Sequence, residues 1–244
     1  MPPAIPVDVE LERTGELIAE TPGQIALRWK RGRPDGRVVA CFPVWAPAEL
    51  IHAAGMLPLG LLGGGNSVEL THADSRFQSF VCSIAKSSLE LGFQGLMKGV
   101  DGLIFSNICD VARNLASVYK RNFPEFHVDY VHLPQNSNST AVVEYVTDEL
   151  RRVAGGFHQA FGVAVKEDSL RKSIDLYNGL RRRLRALRAL RIERPEKITA
   201  SELYEIHRSA TQAPVEESIA RLDALLAGLS LREGRPQDRV RVVL

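Results

Sequence analysis

Four short apolar runs, each separated from the next by a helical pattern, constrain the fold of this chain more than any other feature. The runs lie near Val38, Pro58, Leu103 and Val128, and each ends at a proline, a glycine or a polar residue. Short apolar runs bounded in this way are typical of buried strands. Because strands that alternate with helices form a parallel sheet flanked by helices, the sequence predicts an α/β fold of the Rossmann or flavodoxin-like kind.

Helical patterns also come before and after this region. A proline-bearing start leads into one helix, with Leu11, Ile18, Ile25 and Leu27 on its apolar side. Long helices are predicted over residues 142–161 and 167–191. Residues 200–231 are predicted to form two more helices, because Pro214 disfavours a helical conformation in the residue before it.

Charge and composition exclude several classes of protein. The 31 basic residues nearly balance the 29 acidic ones, so the chain has no overall attraction for nucleic acid. No apolar run approaches the length of a membrane span, and the start lacks the pattern of a signal peptide. Three cysteines without the spacing of a disulfide framework indicate a reducing compartment. We therefore expect a cytoplasmic protein that binds neither nucleic acid nor membrane.

Two of the three cysteines stand where helical patterns begin. Cys109 follows the third predicted strand, at the sheet edge where α/β proteins bind ligands, and Cys82 precedes another helix. A helix N-terminus favours a thiolate, which is the form that binds metal or attacks an electrophile. Either cysteine is equally compatible with a buried core position. Their spacing matches no compact zinc motif, so a site that uses both must be assembled by the fold. Cys41, inside the first strand, is interpreted as a core residue.

Two further groups of residues are weaker candidates for a binding site. Glu49 and His52 are three residues apart on one predicted helix, and they form either a surface pair or part of a cleft. Gly64 and Gly65 follow the second strand, where backbone N–H groups can approach a phosphate, although a flexible loop is the favoured interpretation. The arginine-rich run at 180–194 is interpreted as the solvated face of a helix, with an anionic ligand or acidic partner helix as the alternative.

Five segments of the chain carry a family resemblance. They read CFPVWAPAELIHAAG, LPLGLLGGG, HADSRFQSFVCSIAKSSLELG, DGLIFSNICDVARNL and VDYVHLPQN. Together they resemble the 2-hydroxyacyl-CoA dehydratase and benzoyl-CoA reductase family. The branch that looks most similar contains the smaller, C-type subunits of ATP-dependent benzoyl-CoA reductases. The resemblance extends from about Val38 to the end of the chain, and the contexts FVCS and NICD are specific to it.

The resemblance implies an iron–sulfur enzyme subunit. In this family each of two related subunits holds a cluster through three cysteines, and Cys82 and Cys109 match the first two. The expected cofactor is a [4Fe-4S] cluster. The expected partners are a sister subunit, an ATP-hydrolysing activator that supplies low-potential electrons, and an acyl-CoA substrate near Glu49 and His52, with Gly64 and Gly65 as candidates for the coenzyme A phosphates.

The same resemblance suggests the reaction but leaves alternatives. Dearomatising reduction of benzoyl-CoA, in the anaerobic degradation of aromatic compounds, is the first expectation. Elimination of water from a 2-hydroxyacyl-CoA is the second. A non-catalytic domain that binds a partner or an acyl-CoA is the third.

The resemblance also suggests a domain organisation. Residues 1–36 are predicted to form a helical arm, 37–140 the cluster-binding α/β domain and 141–238 a helical segment. The last six residues, RVRVVL, look like the first strand of a second α/β domain, at 239–244. The third cluster ligand is expected in that second domain, beyond Leu244. We therefore expect the 244-residue chain on its own to be inactive.

Overall fold

The computed structural model describes residues 6–43 and 45–234 and has the predicted α/β class. The described chain divides into two compact units. One contains residues 21–174 with the whole sheet, and the other combines residues 6–20 with 175–234. The domain boundaries predicted from the sequence stay predictions, and the strand predicted at 239–244 lies outside the described residues.

All four apolar runs form strands of one parallel sheet. The strands are β1 (Val38–Cys41), β2 (Leu57–Gly60), β3 (Gly102–Ser106) and β4 (His127–Val131), in the order β2-β1-β3-β4. Every residue of β1 and β3 is buried. This burial explains why their sequences are continuously apolar rather than alternating, since both faces of a parallel sheet are covered.

Helices cover both faces of the sheet. The helices of this unit are α2 (Pro22–Lys30), α3 (Ala48–Ala53), α4 (Thr71–Asp74), α5 (Ser83–Phe93), α6 (Asp110–Asn122), α7 (Val142–Phe161) and the start of α8 (Glu167–Glu193). On one face, Val39 and Ile104 pack in a cluster with Ile51 of α3 and Phe157 of α7. On the other, the ring of Phe105 lies 5.6 Å from that of Tyr119 in α6.

The strand order creates a crevice at the carboxyl edge of the sheet. From β1 the chain passes to β2 on one side, and it then returns to β3 on the other side of β1. The strands β1 and β3 are neighbours, but the loop after β1 and the loop after β3 therefore lead in opposite directions. Ligands of open α/β sheets bind at such a switch point.

The second unit is helical. It contains α1 (Val7–Ala19), most of α8, α9 (Ala200–Ser209) and α10 (Val215–Leu231), and its buried core includes Leu187, Ile206, Leu222, Leu225 and Leu229. The guanidinium of Arg232 donates hydrogen bonds to Glu202 at 2.9 Å and Asp8 at 3.1 Å. These bonds connect the end of α10 to α9 and α1. In the described part of the chain, no helix is long and apolar enough to cross a membrane.

Two local predictions about helices are corrected, and one is confirmed. The single helix predicted near the start is broken, because Thr21 forms a capping box with Gln24 and Pro22 begins a new helix, α2. The helix predicted to begin near Cys82 is confirmed as α5, and the single turn α4 precedes it. The sequence suggests Asp110 as the N-cap of the helix after Cys109, but the N-cap of α6 is Cys109, and Asp110 is the first helical residue.

Candidate functional site

Both cysteines that were singled out in the sequence occupy helix N-caps. Cys82 precedes α5 and Cys109 precedes α6, and both side chains are exposed. The Sγ atom of Cys109 accepts a hydrogen bond from the backbone N–H of Ala112 at 3.4 Å. Helix N-termini favour negative charge, so both side chains lie where a bound anionic group is favoured.

Helices α5 and α6 run side by side in the same direction. The Tyr119 hydroxyl donates to the Ser88 carbonyl, and the rings of Phe93 and Phe123 lie 4.9 Å apart. Cys82 lies six residues before Ser88, whereas Cys109 lies ten residues before Tyr119. Both contacts join later turns of one helix to later turns of the other, so the two N-caps lie at the same end of the helix pair. Both cysteines therefore lie at the carboxyl edge of the sheet; the distance between their sulfurs stays a prediction.

The loop that carries Cys109 is tied to the neighbouring loop. The side-chain amide of Asn107 donates to the carbonyl of Leu133 at 2.6 Å, and its carbonyl accepts from the N–H of Leu133 at 2.9 Å. Asn107 follows β3 and Leu133 follows β4. These reciprocal bonds hold the ends of the two loops together.

A cavity of about 610 Å³ opens at the same edge of the sheet. Its walls come from the loop after β1, the end of β4, α7 and the start of α8. Most of the lining is apolar, with Glu49, Thr147 and Arg151 as its polar members. The apolar lining residues are Trp45, Ala46, Pro47, Leu50, Val131, Leu133, Val146, Leu150, Ala154, Val165, Leu170 and Ile174. Size and lining match a site that buries the apolar part of a small molecule.

An arginine holds the α7 wall of the cavity against the sheet. Arg152 of α7 donates to the side chain of Asp129 at 2.9 Å, to the carbonyl of Tyr130 at 2.7 Å and to Glu149 at 2.8 Å. The hydrogen bond from Arg152 is the main reason why the pKa of Glu149 is below its ordinary value. Glu149 also accepts from the N–H of His132 at 2.8 Å, just after β4.

Trp45 lies at the rim of the cavity in an unusual backbone conformation. Its φ of 64° is in the left-handed region, which bulky L-residues rarely adopt. Its side chain is 60% exposed. Strained, exposed residues of this kind occur at functional sites, where the strain is part of the arrangement.

The weaker candidates from the sequence are separated by the structure. Glu49 lines the cavity, but the described lining does not include His52, whose Nδ1 lies 2.7 Å from the Ser173 hydroxyl. Gly64 and Gly65 lie at a 3₁₀ turn (Gly65–Ser67) after β2. A Cβ at Gly64 would collide with the Val68 side chain, so close packing accounts for that glycine. A role in substrate binding for these four residues stays a prediction.

Cys41 occupies the core, as predicted. It is buried on β1, in the same cluster as Val39 and Ile104. Burial raises the pKa of its thiol to about 12, only partly opposed by a hydrogen bond with the backbone of Leu59. A thiol in this state is a poor metal ligand, since metals bind the thiolate.

The edge that carries the exposed cysteines also carries exposed apolar side chains. Phe80, two residues before Cys82, is 82% exposed, and Ile108, next to Cys109, is 40% exposed. Within residues 6–43 and 45–234, no three His, Cys, Asp or Glu side chains form a group that could hold a metal ion. Cys82 and Cys109 are thus two exposed thiols beside the exposed apolar side chains of Phe80 and Ile108.

Sequence reasoning missed the cavity, Asn107 and Trp45. The apolar residues of α7 that line the cavity have the spacing of an ordinary core-facing helix, so the sequence gives no sign that they border a cavity. Asn107 could have been found from the sequence, because polar residues directly after a buried strand often belong to the binding site at that edge of the sheet. The positive φ of Trp45 has no signal in the sequence, since the left-handed region favours glycine or asparagine.

Known proteins match most of this chain. Residues 43–244 match the family model described as 2-hydroxyglutaryl-CoA dehydratase, D-component. A benzoyl-CoA reductase subunit from Thauera aromatica is 39% identical over 90% of this chain and 57% of its own length. The (R)-phenyllactyl-CoA dehydratase beta subunit from Clostridium sporogenes is 26% identical over 85% of this chain and 55% of its own length. The chain therefore spans little more than half the length of these relatives.

Proposed function

Because this chain belongs to the 2-hydroxyglutaryl-CoA dehydratase D-component family, we propose that it is part of the iron–sulfur subunit of a reductase that acts on benzoyl-CoA. The family resemblance seen in the sequence is confirmed by these matches. Identity of 39% to a benzoyl-CoA reductase subunit, against 26% and 28% to two dehydratase beta subunits, favours ring reduction over elimination of water.

The observation that carries this proposal is the paired placement of Cys82 and Cys109. Both are exposed N-caps of parallel neighbouring helices at the ligand-binding edge of the sheet. Two thiols at helix N-termini suit a [4Fe-4S] cluster, because the helix dipoles stabilise its negative charge. Further ligands come from outside the described residues.

The residues of this chain would hold and shield the cofactor. When bound, the cluster supplies low-potential electrons for ring reduction. Cys82 and Cys109 provide thiolates, and the N–H of Ala112 stabilises charge on the sulfur of Cys109. The exposed apolar side chains of Phe80 and Ile108 exclude water once another domain or a sister subunit packs over this edge.

The apolar cavity is proposed to receive the acyl part of the substrate. A volume of about 610 Å³ accommodates an aromatic thioester group with part of its pantetheine arm. Glu49 and Arg151 lie among the apolar walls and can orient the polar amides of that arm. We propose a sister subunit and an ATP-hydrolysing activator as partners, and a cytoplasmic location, which suits three free cysteines.

The test uses the full-length protein, produced with its sister subunit and purified without oxygen. Cys82→Ala and Cys109→Ala should each lose most of the iron and sulfide of this subunit. Cys41→Ala is the matched control, because its thiol is buried, and it should retain both. Full iron content in either of the first two variants would show that the assigned ligands are wrong.

A second experiment decides between benzoyl-CoA and 2-hydroxyacyl-CoA thioesters as the substrate. The intact complex, supplied with its activator and ATP, should reduce benzoyl-CoA and leave 2-hydroxyacyl-CoA thioesters unchanged. Dehydration without ring reduction would assign the chain to the dehydratase branch. A complex that binds iron but converts neither substrate would contradict the proposed reaction.

A further inference from the structure

The solvent-facing side of α6 lies between two open clefts. The larger cleft, of about 500 Å³, lies between α6 and the segment after α4, and the smaller, of about 230 Å³, lies between α6 and the end of β4. Ser117 borders both. The larger is lined by Arg76, Phe77, Gln78, Asn114, Ser117, Val118, Arg121 and Asn122, and the smaller by Arg113, Ala116, Ser117, Lys120, Tyr130 and His132.

Positive charge dominates this surface. Arg113, Lys120 and Arg121 of α6 are exposed, and Arg76 lines the larger cleft together with Arg121. The described lining of the two clefts contains no Asp or Glu, and no ion pair of the described residues joins these four cations to a carboxylate. The acidic residue of α6 is Asp110, which attracts Arg113 from the first turn. Three of the four cations, Arg76, Lys120 and Arg121, thus form no ion pair among the described residues, and such a cluster attracts anions.

One of these cations is held in place by its surroundings. The Arg76 guanidinium lies over the ring of Phe93, 4.1 Å from its centroid, and donates to the carbonyl of His72 at 3.0 Å. Its position is therefore fixed before any partner arrives, which lowers the entropy lost on binding.

We propose that this surface, with Arg76, Arg113, Lys120 and Arg121 as its cations, is the docking site for an acidic segment of a partner protein. Arg113 and Arg121 are eight residues apart, so the cations extend along about 12 Å of the helix. That span matches several residues of a peptide and exceeds a single phosphate or pyrophosphate. The charges also line both sides of the helix and do not converge on one point.

The uncharged lining supports a peptide as the occupant. Gln78 and Asn114 carry amides that can both donate to and accept from a peptide backbone. The amide of Asn122 already donates to the carbonyl of Val118 and accepts from Arg76. The half-buried Val118 gives an apolar contact between the charged groups. Because α6 begins at Cys109, a protein docked here lies directly behind the loop proposed to hold the cofactor. Docking itself does not depend on that cofactor.

The test measures binding of a defined acidic probe to the full chain. The probe is a fluorescein-labelled peptide of about ten alternating Glu and Ala residues, and the same peptide with Gln in place of Glu is the neutral reference. We expect anisotropy to show binding of the acidic peptide alone, weakened by added salt. The double variant Lys120→Glu/Arg121→Glu should weaken binding by roughly tenfold, since each exposed charge contributes a factor of a few.

A second basic helix supplies the matched control. Arg182→Glu/Arg185→Glu makes the same change in net charge at exposed positions of α8, and it should change the affinity less than about twofold. Equal losses in both double variants would mean that only net charge attracts the probe, and the proposal would be wrong. It would also be wrong if pyrophosphate or coenzyme A bound at Lys120 and Arg121 while the acidic peptide did not. Because no step involves iron or turnover, these outcomes are independent of the proposed enzymatic function.

Discussion

Asn107 and Leu133 exchange two hydrogen bonds, of 2.6 and 2.9 Å, between the side-chain amide of Asn107 and the backbone C=O and N–H of Leu133. Leu133 lines the apolar cavity, and Asn107 lies two residues before Cys109. The pair therefore joins a wall of the proposed acyl site to the loop of a proposed cluster ligand. Movement of either loop alters both sites.

Asn107→Asp is expected to loosen this connection. The carboxylate cannot donate to the carbonyl of Leu133 and repels it, which should lower the free energy of unfolding by roughly 1–3 kcal/mol. Hydrogen exchange at the amide of Leu133 should become faster. Asn114→Asp, which adds the same charge at an exposed position of α6, should change stability by less than about 0.5 kcal/mol. Equal effects of the two substitutions would mean that the Asn107 bonds do not hold the loops.

A buried carboxylate beside α4 predicts a specific loss of stability in acid. The Glu90 side chain is fully buried and accepts hydrogen bonds from the Nδ1 and backbone N–H of His72 and from the N–H of Ala73. Burial by itself raises the pKa of Glu90, but these bonds outweigh burial and hold it below its ordinary value of 4.5. Its contribution is therefore complete above that value and is lost as pH falls through the lower folded-state pKa.

Glu90→Gln is expected to remove this pH dependence. At pH 7 the variant should be less stable by roughly 1–3 kcal/mol, because the NH₂ of Gln cannot accept the N–H donors of His72 and Ala73. Urea unfolding from pH 7 to pH 3 should show the difference from the parent protein shrinking below about pH 4.5. Glu125→Gln, at an exposed position, is the control and should leave the profile unchanged. A constant difference across the range would contradict the assignment.

The three cysteines are expected to differ sharply in reactivity. Burial raises the pKa of Cys41 from 9.0 to about 12. At pH 8 the fraction of Cys41 present as thiolate is therefore roughly a thousandfold smaller than for an ordinary thiol. Iodoacetamide should therefore modify Cys82 and Cys109, which are exposed, and leave Cys41 intact. Mass spectrometry of the digested protein reads out each site, and all three should react in denaturant. Rapid modification of Cys41 in the folded protein would disagree with its core position.

Most of the sheet was predictable because its signal is local. Runs such as Leu103–Phe105 are apolar throughout, and burial on both faces of a parallel sheet requires that pattern. The helix starts at Cys82 and Cys109 were predictable for a similar reason, since each follows a loop and precedes a 3.6-residue pattern. The break at Thr21 was missed, although Thr, Pro and Gln at this spacing form a recognisable capping box.

The cavity could not be predicted, because it depends on distant parts of the chain. Pro47 follows β1, Leu133 follows β4 and Ile174 lies in α8, and only the fold brings them together. The same holds for the contact between Asn107 and Leu133, which are 26 residues apart. Pattern reasoning places residues on elements, whereas the space between elements is determined by packing.

The backbone of Trp45 gives the last prediction, which concerns strain. With a φ of 64°, any residue that carries a Cβ, including alanine, is strained here, and glycine is not. Trp45→Ala and Trp45→Gly both remove the ring, but only the glycine variant relieves the strain. We therefore expect Trp45→Gly to be more stable than Trp45→Ala by about 1 kcal/mol, the reverse of the usual order of these two residues. Thermal and urea unfolding measure the difference.

The control for this order is Phe80, another exposed aromatic residue, which lacks a positive φ. There the alanine variant should be as stable as the glycine variant or more so, because glycine has the larger entropy loss on folding. Both Trp45 variants should also bind benzoyl-CoA more weakly than the parent protein, since each removes a wall of the cavity. If Trp45→Ala matched or exceeded the stability of Trp45→Gly, the loop after β1 would not be strained at this residue. In that case Trp45 would act only through the contacts of its ring.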